Sequence, residues 1–175
     1  MNKIDEKEIK GILNFIGKSK DFSSEYMRVK NFKVYSNQID LKTLMYGVIC
    51  WFVEDRDISL KVNISMRSFL NIKNYLEGHT ENIQTAHDMF STISNFYDLN
   101  FVAAIVPYYK REHYSTYLIL EKDGEFLSVN CYFSDIVCMV QKMNMPVYIH
   151  KEIVKEMGIP VEALNEFLNE GETNV

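Results

Sequence analysis

Residues 101 to 133 read FVAAIVPYYKREHYSTYLILEKDGEFLSVNCYF, and this stretch decides the fold class of the chain. It contains three segments rich in β-branched and aromatic residues, which lie at 101–109, 114–121 and 126–133. Asp123-Gly124 separates the second segment from the third and is a strong signal for a tight hairpin turn. The stretch therefore predicts a three-stranded antiparallel meander. Pro107 cannot donate a ladder hydrogen bond, so we expect its strand to lie at a sheet edge or to end there.

A second pair of strands is predicted upstream. The run 47–53 is apolar and aromatic, and after it four apolar residues alternate with polar ones: Ile58, Leu60, Val62 and Ile64. The polar residues 54–57 between the two runs favour a turn, so we predict a hairpin over about 47–64. A helix is the alternative that stays open, because one helical face would hold Leu41, Leu44, Met45, Val48 and Phe52.

Apolar residues at helical spacing predict amphipathic helices that cover the sheet. These helices are predicted at 5–16, from Ser65 to Gly78, over 81–98 behind a cap at Thr80, and from Ser134 or Asp135 to Lys142. Two small helices around Gly158-Ile159-Pro160 form a predicted C-terminal helical hairpin. We therefore predict an α+β fold, an antiparallel sheet packed against helices, with one domain over 1–175. Five residues test the predicted core: Phe90, Ile93, Ile105, Leu118 and Ile119.

Composition limits the classes of protein to which the chain can belong. With 175 residues, 47% of them hydrophobic, it can bury a core without disulfides or a metal. The formal net charge of -5 disfavours a nucleic-acid backbone as the main ligand, although a local basic patch can override this. The cysteine spacing matches no zinc or redox motif, and no signal sequence or membrane-spanning run is found, so we expect a cytoplasmic protein. Without a nucleotide-binding or metal-binding motif, no cofactor is expected.

One constellation of residues resembles papain-like cysteine hydrolases. Cys50 is followed by Trp51, His113 begins a predicted strand, and Asn130 lies on the next strand. The resemblance implies that Cys50 is a nucleophile at a helix start, that His113 is the base, and that an Asn or Asp orients the imidazole.

The predicted hairpin separates two residues of that constellation, His113 and Asn130. A turn at Asp123-Gly124 places Asn130 opposite Tyr117, about 13 Å along the strand from His113, which makes Asp135 the better partner of that histidine. Cys50 lies in an apolar run that we interpret as a strand, where a thiol is a small buried hydrophobic group with a raised pKa. The structural interpretation of Cys50 and His113 is therefore favoured. His79 and His87 are interpreted as surface or cap histidines.

Two basic segments are candidate binding sites for an acidic partner or single-stranded RNA. The first runs from Lys18 to Lys33 and the second from Tyr108 to Arg111. Their candidate contact residues are Lys18, Lys20, Arg28, Lys30, Lys33, Tyr108, Tyr109, Lys110 and Arg111. The C-terminal helical hairpin carries an excess of glutamate, so we expect it not to bind DNA.

These observations favour a protein that acts by binding. The leading hypothesis is a non-enzymatic regulator or inhibitor of another macromolecule, with a protein as the first choice of partner and no membrane. The bias towards Lys, Asn, Ile and Tyr is typical of an AT-rich genome, so we expect an immunity or anti-defence type protein of a bacterium or phage. The alternative is a thiol-dependent hydrolase or acyltransferase that uses Cys50 and His113.

Overall fold

The computed structural model describes residues 25–37, 46–78, 86–110 and 113–172, which form an α+β fold with sheet packed against helices. The strands are β1 Tyr26–Asn37, β2 Tyr46–Val53, β3 Ile58–Ser65, β4 Asn100–Lys110, β5 His113–Lys122, β6 Glu125–Cys131, β7 Val147–His150 and β8 Gly158–Pro160. The helices are α1 Met66–Leu76, α2 Ala86–Phe96, α3 Phe133–Met143, α4 Lys151–Met157 and α5 Val161–Glu172. The predicted helix over 5–16 and the predicted cap at Thr80 lie outside the described residues.

The chain divides into two compact units. Among the described residues, the first unit holds 25–27, 86–110 and 113–150, and the second holds 28–37, 46–78 and 151–172. One domain over 1–175 stays a prediction. None of the helices in the described ranges is long and apolar enough to cross a lipid bilayer.

The first unit contains the predicted meander. Its strand order is β6-β5-β4-β7, in which β4, β5 and β6 are antiparallel and β7 runs parallel to β4. Helix α3 packs against β4 and β5, and α2 packs against α3. The turn between β5 and β6 has positive φ at Asp123 and at Gly124, as a tight two-residue hairpin requires. It sets the predicted register, in which Tyr117 pairs with Asn130.

Pro107 differs from the expectation. Its strand neither ends there nor lies at an edge, because β4 continues to Lys110 and has neighbours on both sides. The pairing of β4 with β5 shifts between Ile105 and Tyr108, and the parallel pairing with β7 covers only 104–106. Pro107 therefore lies in an irregular part of the ladder, where a residue without an N–H is tolerated.

The second unit contains the predicted hairpin as β2 and β3, in the order β1-β2-β3-β8 with antiparallel pairing throughout. The Ser65 hydroxyl accepts a hydrogen bond from the Ser68 N–H and caps α1, as expected. Helices α4 and α5 form the predicted C-terminal pair. The segment that links them is the short strand β8, which pairs with β3 rather than forming only a turn.

Helix α2 is rotated about its axis from the predicted orientation, although Phe90 still packs on Phe101 of β4 with ring centroids 5.6 Å apart. Ile105, Leu118 and Ile119 are buried as expected, but Ile93 is exposed and only partial burial is found for Phe90. The buried residues of α2 are two serines, Ser91 and Ser94. The Ser91 hydroxyl donates to Met143 Sδ on α3 at 3.6 Å. Small side chains allow α2 to approach α3 closely, and this leaves Ile93 on the outside.

Candidate functional site

A histidine and a carboxylate meet where α2 and α3 begin. His87 is the second residue of α2, Asp135 is the third residue of α3, and His87 Nε2 lies 3.3 Å from Asp135 Oδ1. Both side chains are partly exposed. With Nε2 directed at the carboxylate, Nδ1 is the ring nitrogen left to accept a proton. The arrangement is that of a general base with an orienting carboxylate.

A second charged pair connects the same two helices. Asp88 on α2 contacts the Lys142 ammonium on α3, and both side chains are mostly buried. Asp135 and Lys142 are seven positions apart, which places them on one face of α3 two turns from each other. The two pairs therefore join α2 to α3 at two levels and fix how His87 meets Asp135.

Cys138 lies between these two pairs on α3. Burial, together with the charges of Asp135 and Asp88, raises the pKa of its thiol to about 11. Because both carboxylates act on the same buried thiol, they border one region of the helix interface. At neutral pH the thiol is therefore a neutral packing group.

Aromatic side chains surround the beginning of α3. Phe133 packs on Tyr114 with ring centroids 4.9 Å apart, and Tyr114 packs on Tyr109 at 4.7 Å. Burial raises the pKa of Tyr114 to about 12, with the neighbouring Tyr109 as the second cause. Tyr132 precedes the helix, is highly exposed and makes no side-chain cap, so the first N–H groups of α3 receive no hydrogen bond from that side chain.

The residues of the cysteine-hydrolase resemblance are arranged differently. Cys50 lies fully buried inside β2 rather than at a helix start, and burial raises its pKa to about 11. It belongs to the second unit, whereas His113 belongs to the first unit and is exposed at the start of β5. Asn130 pairs with Tyr117, as the register predicted. Asp135, the expected partner of His113, contacts His87 instead.

The predicted binding residues fall into separate groups. Arg28, Lys30 and Lys33 are exposed on β1 in the second unit, and we call them the β1 cations. Tyr108 is exposed and Tyr109 belongs to the aromatic cluster of the first unit. Lys110 ends β4. Lys18, Lys20 and Arg111 lie outside the described residues.

The β1 cations have specific surroundings. Arg28 Nε lies 3.9 Å from Glu54 Oε2, at the distance limit of an ion pair. Lys33 Nζ lies 5.9 Å from the centre of the Phe52 ring, within cation–π range. Within the described ranges, no group of three or more His, Cys, Asp or Glu side chains is arranged to hold a metal ion.

Sequence reasoning missed His87, Asp88 and Lys142. His87 was expected to be a surface or cap histidine, and Lys142 only marked a helix end. The available signals were His87-Asp88 within a predicted helix and the i, i+7 spacing of Asp135 and Lys142 on a second helix. Neither signal identifies its partner, because each ion pair forms between helices that are distant in sequence.

The family comparison covers this site. The model of a family described as the bifunctional nuclease domain matches residues 52–162, which include His87, Asp88, Asp135 and Lys142 but neither Cys50 nor the β1 cations. No protein with a curated description matches the chain. The matched segment is more than half of the chain. This protein therefore belongs to the bifunctional nuclease domain family.

Proposed function

We propose that this protein binds nucleic acid and cleaves its phosphodiester backbone at the site formed by His87 and Asp135. The observation that carries the proposal is the 3.3 Å contact between these two side chains inside the segment that matches the bifunctional nuclease domain. Phosphodiester cleavage at neutral pH requires a group that takes a proton from the attacking hydroxyl. A histidine oriented by a carboxylate is well suited to that role.

In the proposed reaction, His87 Nδ1 accepts the proton of an attacking hydroxyl, from water or from a ribose 2′ position. The new P–O bond forms as the bond to the 5′ oxygen breaks, and the leaving oxygen takes up a proton from water. Asp135 keeps the imidazole in position and stabilises the imidazolium that forms. The pair of Asp88 and Lys142 supports this geometry by holding α2 on α3.

Substrate binding has support from exposed groups of two kinds. Tyr132 is exposed three residues before Asp135 and offers a ring on which an unpaired base can stack. In the other unit, the β1 cations are a separate candidate site for phosphate groups, which a protein of net charge -5 needs locally.

A second candidate is binding without cleavage, which is the regulator or inhibitor predicted from composition. The observation that favours it is the exposure of the β1 cations, since exposed cations suit phosphate binding without a chemical step. A protein partner, a role in immunity or anti-defence and an origin in a bacterium or phage stay predictions.

The test compares cleavage of end-labelled single-stranded RNA and DNA by four forms of the full chain. We expect His87→Ala to lower kcat/KM by about 10²-fold to 10⁴-fold and Asp135→Asn to lower it less, because loss of a general base has that effect. His113→Ala is the matched control, an exposed histidine in the same unit, and should stay within about twofold of the wild type. Full activity in His87→Ala would refute the proposal.

Binding is measured separately by fluorescence anisotropy on the same oligonucleotides. His87→Ala should still bind, since it removes a proton acceptor and no cation. Reversing the three β1 cations should weaken binding and reduce the slope of log affinity against log salt by about 2. Wild-type binding with no cleavage of either substrate would favour the binding-only candidate.

A further inference from the structure

The outward side of α2 carries an apolar stripe at coiled-coil spacing. Ala86, Met89, Ile93 and Phe96 follow each other at intervals of three, four and three residues. Met89 is 62% exposed, Ile93 45% and Phe96 79%. Intervals of three and four place side chains along one seam of a helix, the pattern by which two helices pack together. We call these four residues the α2 seam.

The α2 seam lacks charge. The exposed residues of α2 are the four seam residues with Thr92 and Asn95, none of which is ionisable. The one carboxylate of the helix, Asp88, is engaged with Lys142 on the inner side. A quarter of the chain is charged, so an uncharged, apolar helix face is unusual for its surface. The α2 seam has no cation to bind a phosphate backbone, whereas its apolar side chains can pack against another apolar helix.

The order of side chains along the α2 seam is complementary to itself. In an antiparallel pair of α2 helices related by a two-fold axis at the level of residue 91, Ala86 lies opposite Phe96, and Met89 lies opposite Ile93. The smallest seam residue then faces the largest, and two medium-sized side chains face each other. Such alternation allows two helices to pack without voids.

We propose that the α2 seam is the docking surface for a second copy of this chain, with the two α2 helices packed antiparallel across a two-fold axis. Two chains of net charge -5 repel each other, so an uncharged face is where they can approach most easily. A helix of 11 residues is about 16 Å long, which alone is short for a stable interface.

Neighbouring apolar residues extend the surface. Tyr97 follows the seam and is exposed, and its carbonyl accepts a hydrogen bond from Lys122 Nζ at 2.9 Å, which places the end of the β5–β6 hairpin beside it. Leu127 of that hairpin is also exposed. It lines a depression of about 540 Å³ with Leu99, which can receive a side chain of the second copy.

The first test is sedimentation equilibrium of the full chain between about 1 μM and about 500 μM. The wild type should dimerise, and Ile93→Asp should raise the dimer Kd by about 100-fold or more, because it buries two unpaired carboxylates. Leu70→Asp is the matched control, an equally exposed leucine on α1 in the other unit, and should leave the Kd within about twofold. Circular dichroism confirms that both variants are folded.

The second test determines whether the two α2 helices pair in the antiparallel register proposed above. Met89→Cys and Ile93→Cys proteins, mixed and oxidised, should form a heterodimeric disulfide faster than either protein alone, because identical positions are offset by about 6 Å along the helices. A wild type that stays monomeric over the whole range overturns the proposal, as does dimerisation that Ile93→Asp leaves intact. A monomeric wild type in which Ile93→Asp lowers stability would show that another segment of this chain covers the seam.

Discussion

The contact between Asp88 and Lys142 should stabilise the pairing of α2 with α3, and a double-mutant cycle measures this. The side chains are 25% and 24% exposed, so solvent screens their attraction only in part. At an effective dielectric constant near 20, two charges about 4 Å apart attract by about 4 kcal/mol, and desolvation offsets much of this. We expect a coupling energy of about 1–2 kcal/mol between Asp88→Asn and Lys142→Met.

The assay is urea unfolding of the wild type, both single variants and the double variant. Glu152 and Lys155 on α4 provide the control cycle, since they lie 3.8 Å apart with 64% and 78% of their side chains exposed. Exposed pairs contribute little, so their coupling should stay below about 0.5 kcal/mol. The two single substitutions at the α2–α3 pair should also lower cleavage, because His87 would lose its fixed approach to Asp135. A coupling energy no larger than that of the control pair would refute the reasoning.

Two further predictions concern packing and pH. Gly47→Ala should lower the free energy of unfolding by about 2 kcal/mol or more, because the added Cβ would lie 2.3 Å from Phe69 Cβ in a buried contact. Gly124→Ala, which meets no atom within 4 Å but has φ +81°, should lose only about 1 kcal/mol in the same urea titration. Burial of Cys50 and Cys138 and partial burial of Cys131 raise the pKa of each thiol from 9.0 to about 11, so the thiols should leave stability unchanged below about pH 8.5. As pH rises from 9 towards 11 the unfolded thiols ionise first, so stability should fall by about 1 kcal/mol per thiol at pH 10. A variant with alanine at all three cysteines should show a shallower decline, and an equal decline would contradict the assigned burial.

The parts of the fold that depend on local sequence were predictable. The turn at Asp123-Gly124 needs two residues that accept positive φ, and the strand pattern on either side then sets the register in which Tyr117 meets Asn130. The Ser65 cap is likewise a local hydrogen bond. Pro107 was misjudged because a proline is also tolerated at a shift in strand pairing, and that shift depends on tertiary contacts.

The candidate site was not predictable from the same signals. Asp88 and Lys142 are 54 positions apart, and no local pattern indicates that α2 and α3 will lie side by side. Periodicity placed Ile93 in the core because an apolar stripe normally faces inward. In this chain the fully buried residues of α2 are Ser91 and Ser94, Phe90 is only partly buried against Phe101, and Ile93 faces outward.

Helix α2 takes part both in the proposed catalytic site and in the proposed dimer contact. The side of α2 that meets α3 carries His87 and Asp88, and the opposite side carries the α2 seam. Side-chain contacts of His87 and Asp88 and a serine contact help to orient α2 on α3, and the contact of Asp88 with Lys142 depends on charge. Apolar packing between the outer sides of two α2 helices is nearly insensitive to salt. Because a second copy can bind only when α2 is correctly placed, its binding stabilises that placement by linkage. Dimerisation would therefore help to keep His87 directed at Asp135, although no residue of the α2 seam takes part in the proposed reaction.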